Sequence, residues 1–233
     1  MFAVVDYRMG NLMSVERGLV AAGADARITD DAAAIARAEA IVLPGVGAFG
    51  DAADSMRELG QMDVIRDRVA AGVPFLGICL GLQLMFEEGV EGSPDQDDEA
   101  SSHNAQGLAI LPGVVTKMPS YDAEGRLYKI PHVGWNTIEP SSAHVPAMGA
   151  ADPDNPFDCP LLAGVEPGTY FYFTHSYVAP TGPFSVTQTT HSVTFTSGVQ
   201  YGDVAFGVQF HPEKSSDAGA VVLRNFVNIV KGA

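Results

Sequence analysis

Cysteine is scarce in this chain, with Cys79 and Cys159 the only two in 233 residues. One pair in a chain of this length does not make a disulfide scaffold, so each is read as a core thiol or a nucleophile, and a reducing compartment is expected. Basic residues are also few, 13 Lys and Arg against 28 Asp and Glu, for a formal net charge of −15. Neutralising a phosphate backbone takes clustered cations, which argues against nucleic acid or an anionic membrane surface as partner. No run of 18 apolar residues exists to cross a bilayer. The chain opens directly on the strand-like Phe2-Ala3-Val4-Val5, with no basic-then-apolar leader. The expected location is the cytoplasm.

What is present is apolar material for a sizeable core, 46% of all residues, read as one α/β domain spanning 1–233. Short apolar runs predict strands at 2–6, 26–28, 40–43 and 73–78. Helices are expected between them at 12–22, 31–38, 51–59 and 61–71, the second entered through Asp30 as N-cap. That alternation builds a parallel sheet covered on both faces. From about residue 107 β-branched and aromatic runs take over, around 113–116, 170–173, 184–187 and 204–210, and predict antiparallel strands that extend the sheet. Apolar spacing over 215–230 predicts a closing helix. The polar segments 93–106 and 141–160 lack periodicity and are read as surface insertions.

In Pro74-Phe75-Leu76-Gly77-Ile78-Cys79-Leu80-Gly81-Leu82-Gln83 an apolar strand runs into an amphipathic helix with no linker. Cys79 falls on the turn, with glycine two residues to either side. A nucleophile elbow needs that pattern, because a strained turn brings its ±2 neighbours together and leaves no room for side chains. At a helix N-terminus the unpaired amides favour a thiolate, and the Leu80 amide can face an oxyanion. A buried core cysteine remains the competing reading of this motif alone.

A cysteine nucleophile needs a base, and the base an orienting group. Phe206-Gly207-Val208-Gln209-Phe210-His211-Pro212-Glu213 offers both at the end of an apolar strand. His211 would take the thiol proton. Glu213 would hold its tautomer from the same side of an extended chain, with Pro212 stiffening the link. A surface histidine is the alternative; no neighbouring His or Cys supports a metal site. The weight lies in the conjunction of the two motifs at strand ends, where open α/β sheets place their ligands.

Together, Gly77 to Gln83 and His211 to Glu213 resemble the signature of the class I glutamine amidotransferases. The resemblance implies their flavodoxin-like α/β fold, a central mostly parallel sheet with helices on both faces plus an antiparallel extension. It also implies L-glutamine as substrate, no cofactor, and Cys79, His211 and Glu213 as catalytic triad. By the same route Pro44-Gly45-Val46-Gly47 resembles the oxyanion strand, with Val46 and Leu80 as oxyanion donors. Gly47, Gln83, Glu91, Ser176 and Tyr177 are then expected to contact glutamine.

Within the family, Asp6-Tyr7-Arg8-Met9-Gly10-Asn11, Pro131-His132-Val133-Gly134-Trp135-Asn136 and His211 to Ser215 are similar to the glutaminases of imidazole glycerol phosphate synthases in histidine biosynthesis. Arg8 departs from the glycine expected after Asp-Tyr. What this likeness implies is a heterodimer with a cyclase subunit, a (β/α)8 barrel that receives ammonia through a channel. Asn11, His132, Trp135 and Tyr172 would lie at or near the interface. The rivals are the glutaminase of anthranilate or aminodeoxychorismate synthesis, a cysteine hydrolase of γ-glutamyl conjugates on the same fold, and a non-catalytic interaction subunit.

Overall fold

The computed structural model describes residues 1–93, 99, 101–145 and 155–232. The first half winds as expected: β1 (Phe2–Val5), α1 (Leu12–Ala21), β2 (Ala26–Thr29), α2 (Ala32–Ala36), β3 (Ala40–Gly45), α3 (Phe49–Glu58), α4 (Gln61–Ala70) and β4 (Phe75–Cys79). The α2 cap is Asp31 rather than Asp30, its carboxylate accepting the Ala33 amide at 2.8 Å. A single helical turn, α5 (Leu80–Gln83), follows the elbow, then β5 (Phe86–Gly89), β6 (Ala105–Gln106) and β7 (Leu111–Lys117). After β8 (His132–Thr137) and β9 (Glu139–Pro140) come β10 (Tyr170–His175), β11 (Tyr177–Val178), β12 (Ser185–Thr190), β13 (Thr194–Tyr201), β14 (Ala205–Val208) and α6 (Ser216–Lys231).

Eight strands form the main sheet in the order β2-β1-β3-β4-β14-β13-β12-β9. The first five are mutually parallel, and β13, β12 and β9 add in antiparallel fashion. The 204–210 run therefore corrects the antiparallel expectation: its strand sits beside β4 in parallel, which sets His211 next to Cys79. Two other runs leave the main sheet altogether. Strand β10 pairs only with β8 in a two-stranded antiparallel ribbon, and β7 joins β11, β5 and β6 in a separate four-stranded sheet.

Strand alternation divides the core into two layers. Phe2, Val4, Val42 and Ile78 pack against α1 and α6 through Val15, Leu19, Val222 and Phe226. Ala3, Val5, Ile41 and Leu43 face α2, α3 and α4 through Ile35, Met56 and Ile65. The two polar insertions are not solvated throughout: Ser93, Asn104, Phe157 and Cys159 are buried, so their ends pack on the body. Residues 94–98, 100 and 146–154 of those segments lie outside the described residues. Among the described residues no helix is long and apolar enough to cross a membrane.

Candidate active site

Cys79 stands at the junction of β4 and α5 with φ 56° and ψ −106°, the left-handed half of conformational space that side chains avoid. The flanking glycines explain how the turn closes. A Cβ on Gly77 would lie 2.5 Å from the Gly81 carbonyl oxygen, and one on Gly81 only 1.7 Å from that of Leu43. The expected amphipathic helix is shorter than predicted. It ends at Gln83, and Phe86 turns into β5, because the buried Leu84, Met85 and Phe86 find their partners in the second sheet.

His211 reaches the cysteine from the end of β14. Its backbone is clamped to the ribbon: its N–H donates to the Tyr172 carbonyl at 2.9 Å, its carbonyl accepts the Ser215 hydroxyl at 2.6 Å, and Ser215 Oγ in turn accepts the Tyr172 N–H at 3.0 Å. Glu213 accepts from His211 Nδ1 at 2.8 Å, both side chains being almost fully buried. Their link is not the extended chain expected; Pro212–Lys214 form a 3-10 turn, which folds the carboxylate back under the ring. His211 Nε2 is buried, and the Cys79 thiol is the group facing it. Burial disfavours the imidazolium, yet Cys79 and then Glu213 outweigh it and hold the His211 pKa at about 9.

Beside the thiol lies a cavity of roughly 410 Å³ lined by Val46, Gly47, Ala48, Cys79, Leu80, Gln83, Glu91, Pro131 and Thr174 through Tyr177. It gathers the expected oxyanion and glutamine-contacting residues at one place. Gly47 has φ +122°, so the Pro-Gly-Val-Gly loop uses a glycine where other residues are strained. Glu91 has a second task, since its carboxylate accepts the Phe49 amide at 3.2 Å at the start of α3. Burial pushes its pKa up, against the pull of that amide. Gln83 is more committed than expected: its Nε2 donates to the Tyr177 carbonyl and to Gln209 Oε1, both at 3.0 Å.

The four expected interface residues separate. Trp135 is 52% exposed on β8, with half-buried Tyr172 edge-on to it at 6.2 Å and Lys214 Nζ 5.6 Å above the tyrosine ring. Asn11 is half-buried at the start of α1. His132 is no surface residue, at 4% exposure, because alternation along β8 turns it inward to stack on His191 and Phe173. Arg8 adopts φ 72°, the conformation a glycine would take there, with its amide donating to Asp6 at 2.8 Å.

Three residues at the site were not singled out from the sequence. Gln209 donates to Cys79 Sγ at 3.5 Å, and two-residue alternation before His211 was a usable signal. His175 was visible only as the neighbour of the expected Ser176. Tyr7 was read only within the 6–11 stretch and given no role at the site: its hydroxyl, fully buried and unpartnered, occupies the space a Gly45 side chain would need, and burial followed by the neighbouring Cys79 raises its pKa.

Comparison with known proteins agrees with this geometry. Residues 3–230 match the family model described as glutamine amidotransferase class-I. The imidazole glycerol phosphate synthase subunit HisH of Moorella thermoacetica is 41% identical, the match covering 99% of this chain and 96% of that one. The HisH of Salinibacter ruber is 42% identical over 97% and 93%. Among solved structures, the PurLQS of Thermotoga maritima shares the fold with a TM-score of 0.64 at 18% identity, covering 97% of both chains. A parallel sheet that sets an elbow cysteine against a buried His-Glu pair, and a likeness that runs the length of the chain, lead to one assignment: the chain belongs to the class-I glutamine amidotransferase family and, within it, to the HisH subunits of imidazole glycerol phosphate synthase.

Proposed function

We propose that the chain hydrolyses L-glutamine through Cys79, His211 and Glu213 and delivers the ammonia to a (β/α)8 barrel cyclase bound at the ribbon. The Cys79 thiolate attacks the carboxamide carbon. Backbone amides at Val46 and Leu80 receive the tetrahedral oxyanion, and the His211 imidazolium gives its proton to the leaving ammonia. Water then attacks the glutamyl thioester, His211 takes the proton released, and glutamate departs with the thiolate restored. Glu213 keeps the Nδ1–H tautomer throughout, so that Nε2 does the proton transfer.

The observation that carries this reading is the buried His211–Glu213 pair set against the elbow cysteine at the mouth of a cavity of glutamine's scale. Gly47, Gln83, Glu91, Ser176 and Tyr177 would hold the amino-acid end of the substrate. The exposed Val133, Trp135 and Tyr170, with Tyr172, form a largely aromatic, apolar patch suited to a protein partner. In this reading the cyclase turns ammonia and a ribonucleotide into imidazole glycerol phosphate, and both subunits work in the cytoplasm. The test is glutamate release by the chain alone, with the cyclase, and with the cyclase and its ribonucleotide. Turnover is expected to rise at each step and to vanish in Cys79→Ala; a Cys79→Ala protein that still released glutamate would refute the mechanism.

A further inference from the structure

Gln209 is fully buried two residues ahead of His211, and the mechanism above makes no use of it. Its amide orientation is fixed by Gln83 and the Tyr177 carbonyl, and a separate chain of hydrogen bonds from the ribbon ends on that same carbonyl. Asn136 Oδ1 accepts the Thr137 amide at 2.8 Å, so its Nδ2 is the atom facing the Thr190 carbonyl at 2.9 Å and His132 Nε2 at 3.2 Å. His132 must therefore accept at Nε2 and carry its proton on Nδ1, 3.1 Å from His175 Nε2. His175 in turn accepts at Nε2 and donates from Nδ1 to the Tyr177 carbonyl at 2.9 Å.

That carbonyl also accepts from Gln83 Nε2, whose second hydrogen goes to Gln209 Oε1. With its oxygen claimed, Gln209 has only one way to place its nitrogen: toward Cys79 Sγ, 3.5 Å away. The chain needs both histidines neutral. A proton on His132 Nε2 would oppose the Asn136 donor, and one on His175 Nε2 would oppose the His132 donor. Burial, reinforced by the neighbouring histidines, keeps them neutral, pushing the His132 pKa down to about 4 and that of His175 to about 3.

We propose that Gln209 is a further catalytic residue, donating a hydrogen bond to the Cys79 thiolate, and that Gln83 is the positioning residue that aims it. The inference rests on Cys79 being the nucleophile proposed above. A donor on the anion favours it over the thiol, and the same donor receives the thiolate again when the thioester hydrolyses.

The test follows the pH dependence of Cys79 alkylation by iodoacetamide, read by mass spectrometry on the intact full chain, beside glutamate release with the cyclase. Gln209→Leu removes the donor at similar volume. Its alkylation midpoint is expected to rise by about one pH unit, a tenfold loss of thiolate at any pH well below both midpoints, with circular dichroism unchanged. An unshifted midpoint would overturn the assignment of Gln209. Gln209→Met removes the donor at nearly the same side-chain length; a shift in the same direction is expected, and this variant decides the matter if Gln209→Leu does not fold. Gln83→Leu frees the Gln209 amide to turn, and a smaller shift of the same sign is expected; a shift in Gln209→Leu with none in Gln83→Leu would remove the positioning role and keep the donor. Because alkylation is read without glutamine, failure of the glutaminase mechanism would appear separately, as turnover that survives Cys79→Ala.

Discussion

Glu213 Oε1 lies 2.8 Å from His211 Nδ1, and neither side chain has more than 2% of its surface exposed. A carboxylate so placed fixes which ring nitrogen carries the proton, and it stabilises the imidazolium once formed. Glu213→Gln should preserve the fold while presenting an amide that can donate to Nδ1 and select the wrong tautomer. We expect glutamate release in the presence of the cyclase to fall roughly 10³-fold to 10⁴-fold, by analogy with the loss seen when a triad carboxylate becomes an amide. A steady-state assay with kcat and KM resolved checks it, and the loss should fall on kcat.

The raised pKa of His211 has a pH signature. His211 titrates at about 9 in the folded chain against 6.5 for an unperturbed histidine. A raised value means that its stabilising contribution is complete below pH 6.5 and is lost as pH climbs through 9. His132 runs the other way: its lowered pKa gives stability that is present above 6.5 and lost as pH falls toward about 4. Histidine ring NMR over pH 3–10 should show a midpoint near 9 for His211 that falls in Cys79→Ser, where the interaction with the sulfur is gone.

The elbow tolerates no side chain at its second glycine. In Gly81→Ala the new methyl would sit 1.7 Å from the Leu43 carbonyl oxygen, a backbone atom of the central strand that cannot swing aside. Chemical denaturation should show destabilisation of about 2–4 kcal/mol, at or above the usual range for an overpacked core, together with loss of glutaminase activity.

Arg8 holds a left-handed conformation that glycine would adopt without strain. Its contact with Glu58 is an exposed ion pair and carries little weight. Replacing it by glycine relieves roughly 1–2 kcal/mol of steric cost and gives back part of that in unfolded-chain entropy. Arg8→Gly should stabilise the chain by up to about 1 kcal/mol, measurable by thermal unfolding.

If the ribbon is the docking face, its exposed aromatic is the anchor. Trp135→Ala should weaken cyclase binding by about 2 kcal/mol, close to 30-fold, as central aromatic truncations do. Calorimetric titration would show this, and the free chain's Cys79 alkylation should stay as it was.

Much of this was legible in the residues because the motifs impose their own geometry. Gly77, Cys79 and Gly81 can be read as an elbow since no other spacing admits the turn, and the first four strands follow from apolar runs of core length. The rest depended on pairing at a distance. Nothing local in 204–210 distinguishes a parallel neighbour of β4 from an antiparallel extension, and β13 went unread among polar Thr and Ser residues that bury by bonding one another, as Thr187 does with Ser197 at 2.9 Å. His132 was placed at or near an interface by the resemblance alone, and only strand alternation along β8 shows that its ring turns inward. Pro212 misled by starting a 3-10 turn where an extended link was expected.

The ribbon of β8 and β10 shows Trp135 and Tyr172 to the outside and His132 and His175 to the inside on alternating positions. Inserting or deleting one residue in either strand would therefore exchange the two sets, carrying a tryptophan into the interior and a histidine onto the rim. The two strands thus bear an exchange of one side chain for another far more readily than a change in their length.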